Sequence, residues 1–264
     1  MTARSRTDAS WPPRLALLAG GLATRLHPLT LHTPKSLIPV AGEPFLAHQL
    51  RRLHQNGLRE IVICCGHLGH EIETFAGDGK AFGLSIEYSR DGDQLLGTGG
   101  AIRAALPLLG PRFLIMYGDS WLNEPFEPVW RAYRDGGRPA LMTVFRNDNR
   151  WGTSNVDYRN GIVTCYHSSG ARSGMHYIDY GLQAIEAELI AGWHGPRFDL
   201  AGLWPGLVDY GLLAGYEART RFYEIGSLAG LRETEAVIAT GLFFDSRRLR
   251  HLPFPPGPLQ EVFE

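Results

Sequence analysis

The stretch LALLAGGLATRLHPLTLHTPKSLIPVAGEP, residues 15–44, decides how the rest of the chain is read. It opens as a short apolar run that stops at two glycines, the pattern of a buried strand entering a turn. Gly20 and Gly21 leave backbone N–H groups open to close approach by an anion. Arg25 follows four residues after Gly21, and Lys35 comes directly after Pro34, which biases Thr33 toward an extended conformation. Either cation alone reads as a solvated surface charge. Together, at fixed offsets from a glycine turn, they read as a holder for several negative charges. The planar fork of Arg25 suits a polyphosphate, and the compact ammonium of Lys35 suits a place between two phosphates. The turn matches neither G-x-G-x-x-G nor G-x-x-x-x-G-K-[ST], which disfavours a dinucleotide cofactor and a P-loop.

Outward from this stretch, apolar strand-like runs alternate with helical patterns. PFLAHQLRRLHQNG (44–57) spaces Phe45, Leu46, Leu50 and Leu53 as a helix and stops at Gly57. REIVICCGH, LSIEYS, RFLIMYGDS and PALMTVFR read as strands, with helices at GHEIETFAG, TGGAIRAALPLL and FEPVWRAYRDGG between them. This alternation predicts an α/β fold: a Rossmann-like, mostly parallel mixed sheet with helices on both faces. After Arg150 the rhythm changes. SNVDYRNGIVTCYH places Asn160-Gly161 between two strand patterns, a hairpin signal, and SLAGLRETEAVIATG predicts a helix capped by Ser227. Ligands of open α/β sheets bind beyond the carboxyl ends of the strands. Gly20-Gly21, Gly118-Asp119 and Glu224 all fall at such ends.

Composition narrows the partners. Of the 264 residues, 44 % are hydrophobic and 20 % charged, ordinary globular values. Lys+Arg total 26 against 27 Asp+Glu, so no basic field exists to hold a nucleic acid through its backbone. No apolar run reaches the roughly 20 residues of a membrane-spanning helix. Cys64, Cys65 and Cys165 have no metal-ligand spacing and are odd in number, which points to a reducing cytoplasm. His67 and His70 lack a third ligand at helical spacing.

The opening stretch closely resembles the signature of the sugar-1-phosphate nucleotidyltransferases, L-A-G-G-x-x-T-R-L-x-P-L-T-x-x-x-P-K-x-L-x-P-V. The resemblance continues at LGTGGAIRAAL (96–106), YGDS (117–120), WGTSNVDY (151–158), YIDYGL (177–182) and EIGSLAGLRET (224–234). Within the family the chain is most similar to short bacterial enzymes that activate manno-heptose, mannose or N-acetylmuramic acid 1-phosphates.

The resemblance implies the nucleotide-diphospho-sugar transferase fold over residues 14–240, with a nucleotide-binding half (14–150) and a smaller β-rich sugar-binding half (151–240). Residues 1–13 are expected to form a flexible extension and 241–264 a proline-rich arm. It also implies transfer of a nucleoside monophosphate from an NTP, GTP by subgroup, to a heptose or mannose 1-phosphate. Leu18, Ala19, Gly20, Gly21, Gly97, Thr98 and Gly118 would hold the nucleotide, with Arg25 on its β- and γ-phosphates. Lys35 would lie near the α-phosphate and the incoming sugar phosphate, and Gly152 and Asp179 would touch the sugar. Asp119 and Glu224 would bind Mg²⁺; most members carry Asp where this chain has Glu224, and Asn where it has Asp179. Relatives place an acidic residue and a lysine where this chain has Tyr166 and His167. Cytidylyl or uridylyl transfer to another phosphorylated small molecule stays open on that account, as does a silent nucleotide-sugar-binding regulatory protein. A homo-oligomer is compatible with this reading.

Overall fold

A nine-stranded sheet forms the body of the protein, seen in a computed structural model that describes residues 10–92, 94–168 and 174–240. The expected proline-rich arm, 241–264, lies outside the described residues.

In chain order the elements are β1 (Leu15–Leu18), β2 (Pro39–Val40), β3 (Glu43–Pro44), α1 (Phe45–Gln55), β4 (Glu60–Cys65), α2 (Gly69–Ala76) and β5 (Ser85–Arg90). There follow α3 (Gly97–Leu109), β6 (Arg112–Tyr117), β7 (Ser120–Trp121), α4 (Phe126–Asp135) and β8 (Ala140–Arg146). The second half holds β9 (Val156–Arg159), β10 (Ile162–Tyr166), β11 (Tyr177–Glu186), α5 (Ala187–Ala191), α6 (Leu200–Asp209), β12 (Leu213–Ala218), β13 (Tyr223–Glu224) and α7 (Leu228–Ala239).

The sheet runs β5-β4-β1-β6-β11-β8-β12-β10-β9. The first four strands are parallel, β11 enters antiparallel between β6 and β8, and β8 and β12 pair in parallel. The β9–β10 hairpin turns at Asn160 and Gly161, both at positive φ, and β9 also reaches back to β11. Parallel pairing thus concentrates where strands alternate with helices, and the hairpin-rich half supplies the antiparallel part.

Strand alternation fills two cores. Leu15, Leu17, Ile61 and Ile63 pack toward Leu50 of α1, Ile72 of α2 and Trp130 of α4. Ala16, Val62, Cys64 and Ile115 face the other way, onto Ile102 of α3, Ile190 of α5 and Trp204 of α6. Cys64 and Cys65 sit in these cores as small apolar side chains, and burial pushes both thiols well above their ordinary range. Among the described residues no helix is long and apolar enough to cross a membrane.

The expected loose extension 1–13 is corrected at its inner end. Trp11 packs against the first core, and the Trp130 indole N–H donates to the Ser10 carbonyl at 3.2 Å, so the chain is already held at Ser10. A tryptophan offers more apolar surface than a free tail would leave in water.

A third, small cluster of Val40, Phe45, Trp121, Ile225 and Ile238 ties α7 to the β2–β3 turn. It matters because it seats β13 against β7, with Glu224 opposite Ser120 and the Ile225 N–H on the Asp119 carbonyl at 3.0 Å. The buried Glu124 carboxylate secures the approach, accepting from the Arg219 N–H at 2.6 Å and the Thr220 hydroxyl at 3.0 Å. Just beyond, the Ser227 hydroxyl caps α7 by accepting from the Gly230 N–H at 3.0 Å. Ser227→Ala is expected to lower stability by about 1 kcal/mol, read as a shift in urea midpoint at unchanged slope.

Candidate active site

The carboxyl ends of β1 and β6 lie side by side, with Leu18 in register with Tyr117, so the glycine turn after β1 meets Gly118-Asp119 after β6. The two glycines of that turn differ. A Cβ on Gly20 would stand 2.8 Å from the Gly66 backbone nitrogen, so packing of the β1 and β4 ends demands glycine there. A Cβ on Gly21 would meet nothing within 4 Å, and Gly21 lines a cavity of about 280 Å³. Its missing side chain leaves room for something outside the protein.

Lys35 reaches the same place from the other side. Pro34 starts a single 3₁₀ turn, Lys35–Leu37, in which Ser36 and Leu37 are buried. The ammonium comes out at the cavity wall and donates to Asp119 Oδ2 at 2.6 Å. Arg25, exposed on the 3₁₀ turn Thr24–Leu26 that Leu26 anchors in the interior, arrives with Glu224 around Gly226. A Cβ placed on Gly226 would lie 3.4 Å from Arg25 Nη2, 3.4 Å from Asp119 Oδ2, and inside contact distance of Glu224 Oε2. Arg25 and two carboxylates therefore surround one point, and Lys35 joins them through Asp119. Glu224 is held there by the Gly226 N–H at 2.5 Å and the Ser227 hydroxyl at 3.2 Å.

Among the described residues no group of three or more His, Cys, Asp or Glu side chains is placed to hold a metal ion. The pair Asp119 and Glu224 offers carboxylate oxygens alone. That donor set fits a hard cation, which takes one or two carboxylates and fills the rest with water and phosphate oxygens.

Leu18, Ala19, Gly20, Gly21, Lys35, Gly97, Thr98, Gly118 and Asp119 all line the cavity. Thr98, however, does not present a free donor. The Phe198 carbonyl accepts from the N–H groups of Gly99 and Gly100, and Asp199 accepts from the Thr98 N–H at 2.9 Å and its hydroxyl at 3.3 Å. The start of α3 is thus capped by a segment a hundred residues further on.

Gly152 and Asp179 are set back from the cavity. Gly152 is exposed at φ +125, its carbonyl accepting from the Asn147 amide at 2.7 Å. Asp179 sits behind the wall residue Tyr117, whose hydroxyl donates to it at 3.4 Å, and it accepts from the Gly181 N–H at 2.9 Å and Gln183 at 2.7 Å. Tyr166 is buried and His167 half-buried, its N–H on the Asn155 carbonyl at 2.9 Å.

Burial raises the Asp179 carboxyl to about 6 against the pull of those donors. The folded protein therefore keeps this proton to higher pH than the unfolded chain, whose carboxyl titrates near about 4. Ionising Asp179 lowers stability as pH rises through that interval. Asp179→Asn is expected to melt higher than the parent at about pH 8 and to differ less at about pH 4; an equal difference at both would assign the effect to packing.

Sequence reasoning passed over Asp91, Arg197 and Asp199, which line the cavity, and Gly226, which leaves room for the charge cluster. The glycine in EIGS was the available signal for the last. Nothing local marks the others.

The Nucleotidyl transferase family model matches residues 16–163. The N-acetylmuramate alpha-1-phosphate uridylyltransferase of Neisseria meningitidis serogroup B is 48 % identical over 117 residues, 44 % of this chain and 51 % of the relative. The mannose-1-phosphate guanylyltransferase of Mycobacterium tuberculosis is 44 % identical over 131 residues, 49 % of this chain and 36 % of the relative. The chain spans about half, or less, of the length of these two relatives. Among solved structures, HddC from Yersinia pseudotuberculosis complexed with GMP-PN superposes at a TM-score of 0.72 with 19 % identity, over 86 % of this chain and 99 % of that one. UDP-glucose pyrophosphorylase from Acinetobacter baumanii does so at 0.71 with 16 % identity, over 89 % and 95 %. At such identities these two speak for the shared fold alone. From the family match, the chain belongs to the nucleotidyl transferase family.

Proposed function

We propose that the protein transfers a nucleoside monophosphate from an NTP to a sugar 1-phosphate, and that the pair is GTP with a heptose or mannose 1-phosphate. The observation that carries the transfer is the contact of Lys35 with Asp119 on the wall of a glycine-lined cavity, with Arg25 and Glu224 gathered beside Asp119. The finer choice is supported by the WGTSNV and YIDYGL stretches and by the guanylyltransferase relative.

In this reaction a phosphate oxygen of the sugar 1-phosphate attacks the α-phosphorus of the NTP. The bond from that phosphorus to the β-phosphate oxygen breaks, and pyrophosphate leaves. The attacking oxygen is already an anion at neutral pH, so no side chain has to remove a proton. The obstacle is repulsion between two polyanions and charge growing on the leaving group. Positioning and preorganised charge are the remedies for both. Gly21 admits the phosphates to the turn. Lys35 neutralises the α-phosphoryl group and its attacker, and Arg25 the departing pyrophosphate. Asp119 and Glu224 would hold Mg²⁺, which supplies Lewis-acid neutralisation of phosphate oxygens when bound.

The test is a matrix of the four NTPs against several sugar 1-phosphates, read as pyrophosphate. Release that needs both substrates supports the reading. Binding of nucleotide with no release in any cell of the matrix would leave a regulatory protein.

A further inference from the structure

The cavity has a second end, away from the charge cluster. Asp119 follows β6, whereas Asp91 follows β5, three strands across in the parallel half of the sheet. At one strand spacing each, that separation is about 14 Å. Leu18, Cys64, Leu95 and Ala101 supply apolar wall, and Asp91 and Arg197 supply charge. A nucleotide with its phosphates at Gly21 and Lys35 points its base toward this end.

The hydrogen-bonding capacity here is unusual for what it lacks. The N–H groups of Thr98, Gly99 and Gly100 in the first turn of α3 are consumed by Asp199 and Phe198, and the Thr98 hydroxyl donates to Asp199 and accepts from the Leu200 N–H at 2.8 Å. Three backbone donors that would meet the carbonyls of a pyrimidine are thus taken, and of the N–H groups that open α3 only that of Gly97 is left. The acceptor capacity at this end is at Asp91: one oxygen accepts from the Leu96 N–H at 3.1 Å, and the other has no partner among the described residues. Partial burial disfavours that charge and raises the carboxyl, so an external donor pair would relieve a standing cost. Arg197 is exposed, and nothing pairs with it among the described residues.

We propose that this end of the cavity reads guanine, with the Asp91 carboxylate accepting from N1–H and the exocyclic amine and Arg197 donating to O6 and N7. Of the four bases, guanine alone presents two adjacent donors on its pairing edge. Uracil sets one donor between two carbonyls, which would turn a carbonyl against the second carboxylate oxygen. Cytosine and adenine set a ring nitrogen acceptor beside their amine, with the same conflict. The Hoogsteen edge of guanine offers the two acceptors that an arginine fork engages. This assignment rests on the nucleotide lying in the cavity as in the transfer reading, and it adds the residues that choose the base.

The test is calorimetric binding of GTP and of UTP to the parent, Asp91→Asn and Arg197→Met, run beside pyrophosphate release. Asparagine still accepts from the Leu96 N–H, so the turn is kept while an acceptor becomes a donor. The parent is expected to bind GTP tighter than UTP, and Asp91→Asn to lose at least about tenfold of that preference, the scale of one bidentate base contact. Arg197→Met is expected to weaken GTP more than UTP. Equal binding of the two nucleotides by the parent, or an unchanged preference in Asp91→Asn, overturns the assignment whatever the turnover. Guanine preference that Asp91→Asn abolishes, with no pyrophosphate released by the parent, would support the subsite and defeat the transfer reading alone.

Discussion

Lys35→Ala is expected to turn over several hundred times more slowly than the parent while still binding NTP. The expectation follows from where the ammonium sits. Lys35 Nζ lies 2.6 Å from Asp119 Oδ2, at the junction of the glycine turn and the end of β6. Its position is set by buried neighbours, Ser36 and Leu37, and not by the ligand. A preorganised charge of this kind acts chiefly where charge develops, and losing one donor costs on the order of 3 kcal/mol of transition-state stabilisation. The nucleotide keeps Gly21, Arg25 and the far end of the cavity, so affinity for NTP should change far less than kcat. Near-normal pyrophosphate release from Lys35→Ala would remove it from the mechanism.

Asp119→Asn is expected to cost more, on the order of a thousandfold in kcat, because the residue carries two duties. It is half of the carboxylate pair that fits a divalent cation, and it is the partner that aims Lys35. The amide keeps the shape and loses the charge, so a large effect would speak for charge. The concentration of Mg²⁺ needed for half-maximal rate should rise in this variant. The double variant with Lys35→Ala should be much less impaired than the product of the single losses, since contacting residues that act as a unit are not additive. Independent losses would mean that the 2.6 Å contact has no part in aiming the lysine.

Much of the fold is legible in the amino-acid sequence. Alternation of apolar runs with helical spacing predicts the parallel half, and Asn160-Gly161 predicts the hairpin, because both signals are local and carried by side-chain period or turn chemistry. Gly21, Lys35 and Asp119 are legible from their spacing in a motif. What escapes depends on contacts between distant parts of the chain. Asp199 caps α3 across a hundred residues, and the Phe198 carbonyl takes N–H groups that a glycine-opened helix would otherwise offer to a ligand. Asp91 is an unremarkable loop carboxylate until the sheet order shows which cavity it faces. Trp11 lies in a stretch whose polar residues read as a tail, and only its packing against the core shows otherwise.

The most direct measurement of the central claim is the fate of position-labelled GTP with mannose 1-phosphate. Label in the α-phosphate should appear in a nucleotide-linked sugar, and label in the γ-phosphate in pyrophosphate, at equal rates. Label from the γ-position appearing as single phosphate, or α-label remaining in free nucleotide, would show that the bond between the α- and β-phosphates is not the one transferred across, and would contradict the account.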